Sequence, residues 1–464
     1  MRKNSSLAGL AALVLTFTFS GEAFGRDYLE RSLPDDWNPE IEASELTFGG
    51  EWWRSLNDLM LDSLVSIATE TNFDINAAAR RIEVARQTVR QAASAWYPQL
   101  GLDAGWQRAQ SSGLNTGRTG NTSVLSYFSA SATMNWEVDV FGKTAAQVRK
   151  AKASQGATVA QYSAALLSIE AEVASTYISL LVNRLQLEVA QNHTKMQEHV
   201  LDIVETRFRT GLVSKLDVAQ ARTLYYSTIA SIPLLESSIE ANYNALGVLL
   251  GTGRDGLPAE IYAPRELPEH YALIPLGAPL NILRKRPDII QAEKNIDVAS
   301  AALGIARKDY LPSLNLSASV GTSAHNIGDL FSKQSFAYSV APTLSWTIFD
   351  GLNRESSNAA AKQNLEIAVD NYNTTVLTAI EEVHNSMNRY TATLKYIDSM
   401  AKVVENSEES VNLSLDQYKQ GLTGFYNVVE AQLNYLTYQN SLVEAKGNSL
   451  NALVDLYKAL GGGE

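Results

Sequence analysis

The sequence predicts an α+β membrane protein built from two internal repeats. Four β-strands per chain help to form a barrel that is continuous with a long α-helical barrel. Three features carry the prediction. Four short segments recur in the same order at an offset of about 210 residues. Runs with a period of two follow Pro98 and Pro312. Two stretches of about 66 residues, from Lys143 to Phe208 and from Asn353 to Tyr418, contain no proline.

The recurring segments are specific. Tyr97-Pro98-Gln99-Leu100-Gly101-Leu102 returns as Leu311-Pro312-Ser313-Leu314-Asn315-Leu316. Trp136 to Gly142 returns as Trp346 to Gly351, and Arg207-Phe208-Arg209-Thr210-Gly211-Leu212 as Gln417-Tyr418-Lys419-Gln420-Gly421-Leu422. Leu249-Leu250-Gly251 returns as Ala459-Leu460-Gly461. The organisation this implies is a signal peptide over 1–25, an extended leader over 26–56 and a first repeat over 57–251. A Pro/Gly-rich connector over 252–280 and a second repeat over 281–464 complete it.

Export is expected from the start of the chain. Arg2 and Lys3 precede the apolar run Leu7 to Phe19, and Ala23-Phe24-Gly25 supplies a small-x-small cleavage pattern. No later segment has about 18 consecutive apolar residues, so membrane residence would come from a β-barrel or from partners.

After Pro312, Leu314, Leu316, Ala318 and Val320 alternate with Ser313, Asn315, Ser317 and Ser319. In the first repeat Phe128, Ala130, Ala132, Met134, Trp136 and Val138 alternate with Ser129, Ser131, Thr133, Asn135 and Glu137. The counterpart sets Phe336, Tyr338, Val340, Leu344, Trp346 and Ile348 against Ser335, Ser339, Thr343, Ser345 and Thr347. Runs of about ten residues, apolar on one face and small and polar on the other, suit strands that face lipid outside and water inside.

The proline-free stretches then predict helices of roughly 100 Å, at 1.5 Å per residue. In the second repeat a heptad runs through Val376, Ile380, Val383, Met387, Tyr390, Leu394, Ile397, Ala401 and Val404. It is broken at Glu408 and resumes at Val411, Leu415 and Tyr418. Gly211 and Gly421 are placed to end these helices in a left-handed turn, with Arg207, Arg209 and Lys419 as cations in the last turns. A returning helix of about 35 residues follows each glycine, and a shorter helix precedes each strand pair. Arg286-Pro287-Asp288 marks one such start, with proline and then an acid in the first turn.

Four strands leave two edges open, and an unpaired edge in lipid costs several kcal/mol per group. The chain must therefore share its barrel with copies of itself. Eight strands from a dimer and twelve from a trimer both remain open at this level.

Composition excludes much else. The 464 residues carry no cysteine, a net charge of -12 and five histidines. Disulfides, thiolate metal sites and a cysteine nucleophile are excluded, as is a lipidated cysteine. The closest histidines, His193 and His199, fall on different helix faces, and the acidic balance argues against nucleic acid as a partner. No nucleophile–base pair or metal spacing appears, so no enzyme, cofactor or metal is expected. Gly251-Thr252-Gly253-Arg254-Asp255-Gly256 fits GxGxxG, but it follows a helix and runs into Pro258, which is a helix stop rather than a dinucleotide loop.

With these elements in place, the chain resembles the TolC-like outer membrane efflux protein family, in the branch serving resistance-nodulation-division pumps. Ile282-Leu283-Arg284-Lys285-Arg286-Pro287-Asp288-Ile289, Ala292-Glu293 and Tyr310-Leu311-Pro312-Ser313-Leu314 carry the resemblance most specifically. Trp136 to Lys143, Pro342 to Gly351, Leu33-Pro34 with Trp37, and Trp52-Trp53 extend it over essentially the whole mature chain. The resemblance implies a homotrimer with a twelve-stranded barrel in the outer membrane lipid and the helical barrel in the periplasm. It also implies a periplasmic membrane-fusion adaptor and an inner-membrane resistance-nodulation-division transporter as partners. Many members of this branch are lipoproteins, which this cysteine-free chain is not expected to be.

By the same resemblance, the turns Gly211-Leu212-Val213 and Gly421-Leu422-Thr423 are the adaptor-contact candidates. The pore constriction falls on Glu430 foremost, with Asn427 and Tyr426 beside it and Asp217 as the first-repeat equivalent. The function expected is the passive exit duct of a tripartite efflux pump. The outer membrane component of a type I protein secretion system is the alternative, and a soluble exported coiled-coil scaffold the reading from another class. The cargo is open: metal, dye, bile salt, antibiotic and solvent pumps share such a duct.

Overall fold

The computed structural model describes residues 51–111, 123–268 and 284–462. The signal segment, most of the leader, the end of the connector and the residues Leu33, Pro34, Trp37, Ile282 and Leu283 lie outside the described residues.

After a short 3-10 turn at Trp52–Leu56 come α1 (Leu59–Thr71), α2 (Phe73–Ala93), β1 (Gln99–Ser111) and β2 (Ser123–Val138). Then follow α3 (Lys143–Arg209) and α4 (Lys215–Leu249), and after the connector α5 (Pro287–Lys308), β3 (Ser313–Ala324) and β4 (Phe336–Ser345). The chain closes with α6 (Asn353–Lys419) and α7 (Phe425–Ala459). The order helix, strand, strand, long helix, returning helix occurs twice. The long helices have 67 residues each and the returning ones 35 each.

The four strands form one antiparallel sheet in the order β1-β2-β3-β4. Residues opposite each other in an antiparallel pair share a face, and the register sorts the two faces cleanly. Leu100 pairs with Met134, Trp136 with Leu316, Ala132 with Val320, Val320 with Tyr338 and Leu314 with Leu344. On the other face Asp103 pairs with Ser131, Asn135 with Ser317, and Ser319 with Ser339. One side is thus mainly apolar and the other mainly small and polar; toward the far end of the sheet the pattern loosens, with Arg108 opposite Ser126 on the first face and Ala109 opposite Leu125 on the second. β4 ends at Ser345, so Trp346 and Ile348 lie beyond the strand; the Trp346 Nε1 donates instead to the Tyr310 carbonyl at 3.1 Å. Pro342 stands in β4 opposite Leu316 and brings no N–H to the ladder.

Each strand stands on a helix. Next to the sheet the helices lie side by side as α2, α3, α5 and α6; farther away the order is α4, α3, α7 and α6. The long helices α3 and α6 run through both tiers, while a short helix above and a returning helix below fill each remaining place. The junction with the sheet is tied twice: Lys143 pairs with Asp309 at 2.7 Å, and Lys308 Nζ donates to the Gly142 carbonyl at 2.7 Å. Asp139 accepts from the Thr144 and Ala145 amides at the free start of α3.

The main apolar core lies where the tiers meet. Trp52, Leu61, Leu64, Tyr177, Leu180, Leu181, Leu246, Leu453 and Leu456 are all buried there. Trp52 stacks on Tyr457 at 5.4 Å. α3 has an 18-residue window of mean hydropathy 1.5, apolar enough to cross a bilayer by composition. Half of that window is buried within the chain, and α3 supplies Val173, Tyr177, Leu180 and Leu181 to this core, so packing accounts for its apolarity. Arg286, nearly buried, holds the region together. It donates to the Asp288 carboxylate, to Glu382 of α6 at 2.6 Å and to the Ala459 carbonyl at the end of α7 at 2.6 Å. Pro287 opens α5, as the sequence implies.

Candidate functional site

At the far end of the long helices the two hairpins turn through the same device. Gly211 and Gly421 adopt φ of +78° and +75°, where L-residues are strained. The Leu212 amide donates back to the Arg207 carbonyl and the Leu422 amide to the Gln417 carbonyl, both at 2.9 Å. No atom lies within 4 Å of where a Cβ would sit on either glycine, so conformation alone demands glycine there.

The six turn residues divide into two kinds. Leu212 and Leu422 project, 69% and 73% exposed. Val213 packs partly against the tip core, and Thr423 Oγ1 accepts from the Asn427 side chain. That core joins all four helix ends: Val200 and Val204 of α3, Val218 and Ala221 of α4, Tyr418 of α6, and Phe425 and Val428 of α7.

Tyr426, Asn427 and Glu430 are exposed on the first turns of α7, opposite the buried Phe425 and Val428. The spacing of Tyr426 and Asn427 from Glu430, four and three residues, brings them to one helix face. Asp217 stands on the first turn of α4 and is held by local hydrogen bonds. Its carboxylate accepts from Ser214 Oγ at 2.7 Å, its amide donates to that hydroxyl, and its other oxygen accepts from the Tyr418 hydroxyl at 3.4 Å. Ser214 thus caps α4 through the Asp217 amide, and the Asp217 carboxylate holds the capping hydroxyl in place.

Sequence reasoning missed the strongest link between the hairpins. Arg207 was expected to serve the dipole of its own helix. Its guanidinium reaches across instead, donating to the Tyr418 and Lys419 carbonyls at 2.8 and 3.0 Å, and lies 4.9 Å from the Tyr418 ring centre. It therefore caps the C-terminus of α6, where the dipole favours a cation and the last carbonyls lack helical partners. Burial, and then the nearby Asp217, push the Tyr418 hydroxyl up to about 12, so it stays a donor. The duplicated sequence held a partial signal. Arg207 and Tyr418 break the symmetry of the recurring segment, standing opposite Gln417 and Phe208.

The outer membrane efflux protein family model matches residues 64–252 and 278–462. The antibiotic efflux pump outer membrane protein ArpC of Pseudomonas putida is 26% identical over 425 residues, covering 91% of this chain and 87% of the relative. The solved outer membrane channel OprN superposes with a TM-score of 0.84 at 26% identity, over 93% of this chain and 98% of that one. The open-state MtrE outer membrane channel of Neisseria gonorrhoeae gives 0.82 at 26% identity, over 93% and 96%.

Proposed function

The chain belongs to the outer membrane efflux protein family, and from that premise we propose that three copies form the exit duct of a tripartite pump, closed near the helical tips. The protein is a passive outer membrane conduit rather than an enzyme, and efflux rather than protein secretion is its task. Three chains join β4 of one copy to β1 of the next, giving a twelve-stranded barrel with its helical barrel in the periplasm. The observation that carries the reading is the stacked arrangement. An amphipathic four-stranded sheet with two open edges stands on four parallel columns of helix, so closure of the sheet also closes a tube.

A periplasmic adaptor docks at the exposed Leu212 and Leu422 of the tip turns, and an inner-membrane resistance-nodulation-division transporter loads cargo through it. Support comes from two exposed leucines held forward by glycine turns at the ends of the hairpins farthest from the sheet. Small-molecule cargo fits the relatives, among them a pump component named for antibiotics. Glu430, with Tyr426 and Asn427 on the same face, forms the constriction. Three carboxylates around a threefold axis attract cations and hold out anions.

Single-channel recording of the purified trimer tests this. Glu430→Ala is expected to lower cation selectivity or to raise conductance. A channel unchanged in both removes Glu430 from the constriction.

A further inference from the structure

The two repeats correspond residue for residue. Lys143 to Arg209 in α3 answer to Asn353 to Lys419 in α6, and Lys215 to Leu249 in α4 answer to Phe425 to Ala459 in α7. Leu100 answers to Leu314 and Trp136 to Trp346. The hairpins confirm the correspondence. Gln99 pairs with Asn135 in the first repeat, and their counterparts Ser313 and Ser345 pair in the second.

Between the hairpins β2 pairs with β3, setting Trp136 opposite Leu316 and Asn135 opposite Ser317. In the shared barrel β4 meets β1 of the next copy, again the second strand of one repeat against the first strand of another. We propose that the copies join in the register the two repeats already use, with Ser345 opposite the next copy's Asp103 and Trp346 opposite its Leu102. The faces agree, since Leu102 and Trp346 continue the apolar rows and Asp103 and Ser345 the polar ones. A slip of one residue would set apolar side chains against polar ones. The strand ends agree too. Trp136, Glu137 and Val138 pair with β3 alone, because the pairing with β1 begins at Asn135. Their counterparts Trp346, Thr347 and Ile348 lie just past Ser345, where the pairing with β3 begins. In the barrel they pair with the next copy's β1, and β4 runs on to Ile348.

The helices carry the same register independently. Within the chain α3 lies beside α5 and α7, so between copies α6 lies beside α2 and α4. Gly447 of α7 comes so close to Val182 of α3 that a Cβ would collide with it. The counterparts, Ser237 and Ala392, are both small and both exposed in the single chain. Gln186 and Glu444, which share a hydrogen bond, answer to Tyr396 and Leu234, two apolar side chains 48% and 72% exposed. Gly156 and Lys294, in contact across α3 and α5, answer to Glu366 and Arg80, which are exposed and of opposite charge. Size, apolarity and charge thus match in one register. The ion pair of Lys143 with Asp309 is not repeated, because Asn353 and Ala95 stand in its place, so the seam between copies depends on the strands and the two helical tiers.

The inference rests on the duct reading. Because the chain has no cysteine, introduced pairs test the register in the full-length protein. Ser345→Cys with Asp103→Cys is expected to oxidise to a disulfide-linked species of three chains on a denaturing gel. Gly105 lies on the same face, two residues along β1, with open space where a Cβ would sit. Ser345→Cys with Gly105→Cys is therefore expected to link at least tenfold more slowly, and faster linking of that pair overturns the register. Ser237→Cys with Ala392→Cys leaves the strands untouched and is expected to link the copies in the periplasmic tier. It decides alone if the strand variants do not assemble, and an assembled trimer that stays unlinked there overturns the inference. An unmodified chain that forms no trimer would instead remove the duct reading.

Discussion

Arg207 shows how one side chain can join two hairpins that are far apart in sequence. Its two hydrogen bonds end on main-chain carbonyls, so they depend on where α6 stops rather than on any side chain of α6. Hydrogen bonds to charged groups contribute about 1.5–3 kcal/mol each, and less where water competes. Arg207→Ala is therefore expected to speed amide exchange over residues 415–422 by tenfold or more while leaving the core around Tyr177 protected. Exchange at the ordinary rate in that segment would mean that the tip is held by its apolar core alone. Neither bond is legible in the sequence. A basic residue in the last turn of a helix suggests its own dipole, and nothing local indicates that a neighbouring helix end lies within reach.

At the scale of the element, the strands are the most legible part of the chain. Their alternation follows from a pleat with a period of two, and the register places apolar residues opposite apolar ones over most of the sheet, from Leu100 with Met134 to Leu314 with Leu344. Because the chain has no cysteine, single introduced thiols report each face without background. Tyr338→Cys is expected to resist a membrane-impermeant thiol reagent, and Ser339→Cys to react through the water-filled lumen. Equal labelling of the two would deny the sheet its lipid face. The long helices were legible too, because 67 residues with no interrupting proline have few other ways to fold. The strand end at Ser345 was not: the alternation continues through Trp346 and Ile348, and only the hydrogen bond from Trp346 to the Tyr310 carbonyl shows where the sheet stops.

For the whole molecule, the open edges of β1 and β4 set the requirement for company. In the outer membrane each trimer carries three copies of any substitution, so a lipid-face charge acts threefold. Val340→Lys, midway along β4, is expected to cost about 2–4 kcal/mol per chain at the bilayer midplane. The trimer band on a gel of unheated samples should weaken or vanish, whereas Ser339→Lys, on the polar face, should leave it in place. Loss of the trimer in both variants would show that β4 is intolerant for reasons other than its lipid contact.

The sequence by itself determined the elements, their duplication and the need for a shared barrel. Each of those follows from local periodicity, from glycine and proline positions, or from the cost of an unpaired edge in lipid. Only the tertiary structure decided the lateral order of the helices and the reach of Arg207 into α6. Those depend on which helices become neighbours across more than two hundred residues. That is settled by packing of the whole tier, and no short window of sequence contains it.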